Sequence, residues 1–266
     1  MVVMLEGGCR VSQVHDAAPV VEGTLRIWNQ VGRATGAQAI SLRVMEFAPG
    51  MSPAIRNDDC DQILYVLESR HPAHNEVCTT RGSGWVNLLI ERQSFDVNPD
   101  TGIYIRPNET FAIDNISTDS ITIISSQCPD PNRSPQFVSL AAPASKPTVS
   151  APRPIACLAD QRAQPTADRW YRVLVDEGMG SNATQFVGSI PPGRAPDHFH
   201  NYEEVLFILK GKGRMWARET NTPIATGSCI YLPKGQVHCV ENTGDGELRL
   251  LGVFYPAGSP SVRYET

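Results

Sequence analysis

The residues best suited to chemistry lie in two short segments in the second half of the chain. His198, His200 and Glu204 are close together, and His238 follows the turn signal Pro233–Gly235. Side chains two apart on a β-strand project to the same side, so His198 and His200 can reach one ion, and Glu204 has the same parity. Three imidazoles and one carboxylate suit a single divalent metal ion. Two adjacent strands of a small barrel would present all four groups to one interior point.

Strand-like runs recur through both halves of the chain, with turn residues between them. Their spacing, with few helical periods, predicts all-β barrels. The predicted strands cover residues 25–28, 40–47, 63–67, 84–91, 102–105, 121–125, 171–175, 184–190, 205–209, 213–218, 230–232 and 248–254.

Glycine, proline and asparagine residues stand at regular places around the candidate ligands. The first segment contains Gly193, His198, His200, Glu204 and Gly211, and the second contains Gly227, Pro233, Gly235, His238 and Asn242. Together they resemble the two motifs of the cupin family, although the spacer after Gly193 is one residue shorter than the common form. The resemblance implies double-stranded β-helix, or jelly-roll, barrels and a metal ion held by the three histidines and Glu204.

The first half of the chain resembles a diverged copy of the second. Internal repetition of this kind indicates two copies of one folding unit. The predicted fold class is therefore all-β, with two tandem cupin barrels. The matching segments are Pro49–Pro53 with Pro192–Pro196, Ile103–Ile105 with Ile230–Leu232, Asp114 and Asn115 with Glu241 and Asn242, and Trp28 with Trp170.

The first copy lacks most of the candidate ligand side chains. In this alignment His198 falls on Ile55, His200 on Asn57, Glu204 on Asp61 and His238 on Phe111. One carboxylate and one amide are too few strong ligands for a transition metal, so the first barrel is predicted to be metal-free and to serve packing. The alternative is a different polar site formed by Arg56, Asn57, Asp58, Asp59 and Asp61.

Composition divides the chain into three parts. Residues 1–128 form the degenerate N-terminal barrel, 129–168 a proline-rich connection, and 169–266 the metal-binding C-terminal barrel. The connection is predicted to lie as an extended strap over the surface. The first half also carries an insertion at about residues 69–83, whose His71 and His74 we interpret as part of a solvated loop and not as a second metal site.

Net charge and cysteine content limit the binding partners and the cellular compartment that the sequence predicts. The net charge is -5, so no basic field attracts nucleic acid or an anionic membrane. The N-terminal residues lack the charged start and long apolar core of a secretory signal, and no run approaches the length of a membrane span. The seven cysteines are odd in number and lack C-x-x-C spacing, which predicts a reducing cytoplasm. The cupin resemblance further implies a homodimer.

A centre of this kind leaves several reactions open. One ion of Fe(II), Mn(II), Ni(II) or Zn(II) would keep positions for water, dioxygen or a chelating small-molecule substrate. The leading hypothesis is an Fe(II)-type dioxygenase that acts on a small oxygen-rich organic molecule. The alternatives are a redox-neutral isomerase, lyase or hydrolase with Mn(II) or Zn(II), as in ureidoglycine aminohydrolases, and a non-enzymatic small-molecule-binding protein.

Two side chains besides Glu204 are candidates for catalysis. Arg214 shares strand parity with Trp216, and if it points inward it would suit an anionic or enolate substrate, because guanidinium binds carboxylates bidentately. Glu203 is a candidate general acid or base, but its parity is opposite to that of Glu204 and predicts an outward position. Cys239 is expected to face away from the metal.

Overall fold

The computed structural model describes most of the chain. Nearly all of its regular structure is β-strand, and the helices among the described residues are short 3-10 turns at Glu6–Gly8, Arg33–Thr35, Leu158–Asp160 and Glu177–Met179. None of these helices is long and apolar enough to cross a bilayer. The all-β prediction is confirmed. Asp58, His71 and His74 lie outside the described residues, which are 1–57, 59–67, 85–91, 93–139 and 153–261.

The strands are numbered in chain order. In the first half and the connection they are β1 Val3–Met4, β2 Arg10–Gln13, β3 Val20–Glu22, β4 Leu25–Val31, β5 Leu42–Phe47, β6 Gly50–Met51, β7 Ala54–Arg56, β8 Asp61–Val66, β9 Val86–Ile90, β10 Gln93–Val97, β11 Thr101–Ile105, β12 Thr110–Asn115, β13 Ile121–Cys128, β14 Gln136–Val138, β15 Ile155–Cys157 and β16 Gln164–Thr166. In the second half they are β17 Arg169–Val175, β18 Thr184–Ile190, β19 Gly193–Arg194, β20 Glu203–Lys210, β21 Lys212–Ala217, β22 Thr220–Ala225, β23 Ser228–Leu232, β24 His238–Asn242 and β25 Leu248–Tyr255.

Each barrel is a sandwich of one large and one small antiparallel sheet. The first barrel combines the order β15-β11-β8-β13-β5-β4-β3 with β10-β9-β12-β7-β14, in which β6 also pairs with β12. The second combines β1-β2-β23-β20-β25-β18-β17-β16 with β19-β24-β21-β22. Apolar side chains fill the space between the two sheets of each sandwich.

The two large sheets lie back to back. Trp28 and Tyr65 of the first barrel share one apolar cluster with Val187 and Phe207 of the second. Strands of the large sheets are therefore covered on both faces, and every residue of β18 is buried. This double burial explains why such strands read as almost continuous apolar runs, whereas β21 in the outer sheet alternates between buried and more exposed residues.

Strands exchanged between the barrels join them further. β2, near the N-terminus, pairs with β23 of the second barrel, so that Val11 lies opposite Ile230. β15, from the connection, pairs with β11 of the first barrel, so that Ala156 lies opposite Gly102. The division at residues 128 and 168 stays a prediction, and strand pairing crosses it in both directions.

A buried carboxylate of the second barrel anchors a loop of the first. Glu203 accepts hydrogen bonds from the backbone N–H groups of Gln38, at 2.8 Å, and Ala39, at 2.6 Å. The hydroxyl of Tyr231 donates to the same carboxylate at 2.6 Å. Burial and the neighbouring carboxylate raise the pKa of Tyr231, so its hydroxyl stays protonated and can donate.

The first barrel makes the reciprocal contact. Asp61 accepts hydrogen bonds from the backbone N–H of Asn182 at 2.7 Å and from the hydroxyl of Tyr104 at 2.7 Å. Tyr104 occupies the place in β11 that Tyr231 occupies in β23, and each hydroxyl oxygen also lies near a glycine carbonyl of the other barrel's loop, 3.0 Å from Gly180 or 3.4 Å from Gly36. The interface between the barrels therefore has approximate two-fold symmetry.

These bonds predict that Glu203→Gln destabilises the protein. The amide would place an NH₂ group against hydrogen-bond donors and remove a charge-assisted acceptor, which costs about 2 kcal/mol in the free energy of unfolding. Urea denaturation followed by tryptophan fluorescence measures this loss. The exposed Glu219 provides the matched control, Glu219→Gln. Equal denaturation midpoints for the two variants would show that the carboxylate is not a structural anchor.

Candidate metal centre

Backbone hydrogen bonds hold the two histidine segments side by side. His198 and His238 form an isolated antiparallel bridge, with the N–H of each donating to the carbonyl of the other at 3.1 and 2.8 Å. The carbonyl of His200 accepts from the N–H of Gly235 at 2.7 Å, which closes the turn before β24. Gly235 has a φ of 77°, a left-handed conformation that glycine adopts without strain.

The three imidazoles converge. Their candidate ligand nitrogens, on His198, His200 and His238, all lie within 4.8 Å of one another. The ring centroids are 4.4 Å apart for His198 and His238, 5.0 Å for His198 and His200, and 5.4 Å for His200 and His238. No other group of three ligand-type side chains in the described part of the chain is gathered in this way.

Backbone carbonyls orient two of the rings. Nδ1 of His198 lies 3.1 Å from the carbonyl oxygen of Pro196, and Nδ1 of His238 lies 2.8 Å from that of Gln236. Because a carbonyl oxygen can only accept, each Nδ1 carries the proton and each Nε2 keeps a lone pair. Metal-binding histidines are held by the same arrangement. Burial and the adjacent His198 lower the pKa of His238, which keeps this ring neutral.

Glu204 adds a buried carboxylate beside the rings. Its Oε2 lies 3.7 Å from Nε2 of His200, and its side chain is almost fully buried. Burial raises the pKa of Glu204 to about 8, because desolvation disfavours the charged form of the carboxylate. A divalent ion would offset the cost of that buried charge. The donor set therefore fits a metal ion that prefers nitrogen and oxygen ligands.

A small cavity opens beside these four residues. It has a volume of about 110 Å³, and its remaining walls are mainly apolar. Tyr202 stacks on the ring of His200 with centroids 4.7 Å apart and on Phe254 with centroids 4.4 Å apart. The apolar residues around the cavity include Phe186, Ile190, Leu206, Val240 and Leu250.

The other predicted catalytic side chains point elsewhere. Arg214 lies on the outer face of β21, where its Nε donates to Oδ1 of Asn221 at 2.6 Å, and it is absent from the residues that line the cavity. Arg214 therefore lacks the inward orientation on which its candidate catalytic role depended, because Met215 and not Arg214 has the parity of the core. Glu203 faces the first barrel, as its parity predicted.

The outer face of the small sheet has its own contacts. Trp216 faces the same side as Arg214, and the guanidinium of Arg194 lies 4.3 Å from the centre of its ring. The same arginine donates to Sγ of Cys239 at 3.2 Å and to Asp197 at 3.1 Å. Cys239 therefore points away from the histidines, as expected from strand alternation.

The first barrel has apolar residues where the second has imidazoles. Ile55 lies opposite Phe111 in β7 and β12, at the places of His198 and His238. Both side chains belong to the core of the first barrel. Asn57 takes the place of His200 and donates to the carbonyl of Cys60 in its own loop and to that of Arg106 between β11 and β12.

The counterpart of Glu204 is Gln62, and the predicted alignment with Asp61 is wrong. Ile63 lies opposite Tyr104 just as Val205 lies opposite Tyr231, so Ile63 and Val205 are equivalent. The residues before them, Gln62 and Glu204, are then equivalent as well. One residue more separates Asn57 from Gln62 than separates His200 from Glu204. Asp61 is instead the counterpart of Glu203, which explains why both anchor the other barrel.

Several residues of the alternative polar site predicted in the first barrel make structural contacts instead. Asp61 is used at the interface and Asn57 within its loop. Asp59 forms an ion pair with Arg133 at 2.7 Å, with its side chain 62% exposed. Such a pair is typical of a surface contact.

Two cavity residues were missed by sequence reasoning, because they lie far from the motifs. Arg169 begins β17 and Gly188 lies within β18, and both line the cavity with the histidines. The signal that could have found them is the internal repeat, compared strand by strand after the motifs. The match of Trp28 with Trp170 obscured this comparison. Trp28 lies opposite Val44 in β5, and Val187, the equivalent of Val44, lies opposite Arg172. The counterpart of Trp28 is therefore Arg172.

Comparisons with known proteins agree with this architecture. Residues 186–254 match the family described as the cupin domain. A protein of Aquifex aeolicus is 34% identical over 87 residues, which are 32% of this chain and 70% of that protein. The oxalate-binding protein of Thermotoga maritima is 33% identical over 85 residues, covering 31% of this chain and 70% of that protein.

Solved structures extend the likeness to both barrels. A deletion mutant of the Bacillus subtilis oxalate decarboxylase superposes with a TM-score of 0.71, over 93% of this chain and 77% of that chain. The sequence identity is 15%, so this match speaks for the fold alone. With the motif residues in place in the second barrel, the chain belongs to the cupin superfamily and consists of two tandem cupin barrels.

Proposed function

We propose that the second barrel binds one divalent metal ion through His198, His200, His238 and Glu204. The observation that carries this proposal is the convergence of the three imidazoles, whose ligand-type nitrogens lie within 4.8 Å of one another. The carbonyl contacts at Nδ1 of two rings leave their Nε2 lone pairs for an ion. The buried carboxylate of Glu204 would contribute negative charge beside the ion.

We further propose that this centre makes the protein a metal-dependent enzyme for a small oxygen-rich molecule. When bound, a divalent ion supplies a Lewis acid, and a redox-active one such as Fe(II) also supplies electrons. The chain holds the ligands rigid through the His198–His238 backbone bridge and the Tyr202 stack. The apolar walls limit access of water, and the volume of about 110 Å³ limits the part of a substrate that can enter.

Two reaction classes follow from this site. The first is an Fe(II)-type dioxygenase, in which substrate oxygens would bind beside the histidines. The second is redox-neutral chemistry with Mn(II) or Zn(II), or binding without turnover. The name of one relative favours the second class, since it is an oxalate-binding protein.

Metal stoichiometry tests the division of labour between the barrels. We expect about one equivalent of Mn(II) or Zn(II) per chain after loading and gel filtration, measured by elemental analysis, because Ile55 and Phe111 provide no ligand atoms. A second tight equivalent would contradict the metal-free first barrel. No bound metal at all would contradict the proposed centre.

Substitution by the residue of the first barrel tests the ligands. His238→Phe recreates Phe111 and is expected to weaken Zn(II) binding by at least about 100-fold, since about 10–16 kcal/mol of binding free energy is shared among four ligands. Competition with a chromophoric chelator measures the affinity. His15 packs on Trp28, with ring centroids 4.9 Å apart, and lies outside the cluster, so His15→Phe is the control. Unchanged affinity in His238→Phe would remove this histidine from the site.

Metal exchange separates the two reaction classes. A dioxygenase is expected to consume O₂ with small diketones, catechols or hydroxy acids when loaded with iron and to be inactive with zinc, because zinc has no redox chemistry. An oxygen electrode and product analysis provide the measurement. Turnover that persists in the zinc-loaded protein would instead assign the redox-neutral class, and Glu204→Gln is the negative control for both metals.

A further inference from the structure

Arg169 places a cationic group in the wall of the candidate metal centre. It is the first residue of β17 and shares strand parity with Tyr171, which belongs to the core of the second barrel. Arg169 lines the same cavity as the three histidines and Glu204. Its side chain is only 13% exposed.

The described residues provide few hydrogen-bond acceptors for this guanidinium. Its Nε donates to Oδ1 of Asp168 at 3.4 Å, and the side chain of Asp168 is 69% exposed. An ion pair with so exposed a partner contributes little. Among the described residues, neither Nη group of Arg169 donates to a protein atom, although an arginine has five N–H donors. Donors of a largely buried side chain that find no acceptor among the described residues favour an acceptor from a ligand.

The charge of the cavity wall is asymmetric. Arg169 is the one arginine or lysine among the described residues that line it, and Glu204 is the one carboxylate. The remaining walls are apolar or carry neutral polar groups, apart from the imidazoles. A guanidinium in such surroundings binds carboxylates through two parallel N–H···O bonds, which fixes both the position and the orientation of the ligand.

The first barrel shows that the fold does not require an arginine at this place. β17 and its counterpart β4 in the first barrel both have a register irregularity, which lies between Asn29 and Val31 in β4 and between Val173 and Val175 in β17. Arg169 precedes that irregularity by the same number of residues as Leu25, which is fully buried in the core of the first barrel.

A second replacement accompanies the first. Asn115 donates to the carbonyl of Phe47, as Asn242 donates to that of Ile190, so Phe47 and Ile190 are equivalent. Gly188, two residues before Ile190, therefore corresponds to Met45, whose side chain fills the core of the first barrel. The barrel that keeps the histidines thus has an arginine and an open space where the other has two packed apolar side chains.

We propose that Arg169 is the specificity-determining residue of this site and that it binds the carboxylate of a small organic acid. The inference rests on the proposed function, because the same acid would approach the metal held by the histidines. The volume of about 110 Å³ restricts the ligand to a few non-hydrogen atoms within the cavity. A short hydroxy or oxo acid, with one oxygen group for the metal and a carboxylate for Arg169, has the matching chemistry.

Calorimetric titration of matched acids and amides tests this assignment. Glycolate, lactate and pyruvate would be titrated into the zinc-loaded and metal-free proteins, with glycolamide and lactamide as neutral analogues. We expect Arg169→Leu, which copies Leu25, to weaken binding of the acids by about 10- to 100-fold and to leave that of the amides unchanged. Arg169→Lys is expected to recover part of the loss, since it keeps the charge but not the planar fork.

Two controls separate this proposal from the metal proposal. Arg214→Leu removes an arginine from the outer face of the same barrel and is expected to change nothing. Zinc content is measured for every variant, and Arg169→Leu is expected to retain its metal. Failure of the parent protein to bind zinc would refute the metal centre, while acid binding to the metal-free protein would still report on Arg169. Equal acid affinities for Arg169→Leu and the parent, or no binding of any of the three acids to the parent, would overturn the role of Arg169.

Discussion

The structure depends on the two environments that β20 faces at successive residues. Glu203 is held by backbone N–H groups of the first barrel and by Tyr231, so its side chain is committed to the interface. Because successive side chains of a strand face opposite sides, Glu204 then points into the cavity of the second barrel beside His200. A slip of one residue would move one glutamate into the place of the other and bring Tyr202 or Val205 into the vacated place, so one of the two buried carboxylates would lose its partners, which is costly for a charged group. The interface between barrels therefore sets the register of the candidate metal centre.

The two barrels show how one fold accommodates two interiors. In the first, Ile55 and Phe111 contact each other in the core, and Gln62 provides a neutral amide in place of the carboxylate. A glutamate there would be a buried charge with no cation, so the amide is the less costly side chain. In the second barrel the polar side chains and the open space beside them occur together. Loss of the ligands and filling of the cavity are thus two aspects of one change.

Sequence spacing was enough for some features and insufficient for others. The all-β class and the convergence of His198, His200 and His238 could be predicted, because alternation and turn chemistry act over a few residues. The orientation of Arg214 stayed open in the sequence, and only the structure shows that Met215 takes the core side of β21. The counterpart of Glu204 was misplaced because one additional residue in the loop after Asn57 does not change the apolar pattern that guided the alignment.

The sequence by itself determined the all-β class, the repeat and the type of ligand available, since these follow from local periodicity and from the chemistry of single side chains. The tertiary structure decided which face each strand turns inward, and it brought Arg169 beside residues distant in the chain. It also assigned Glu203 and Asp61 to the interface and exchanged β2 and β15 between barrels. Such choices depend on pairing between distant strands, whose free energy comes from burial and hydrogen bonds that form only when both barrels are present.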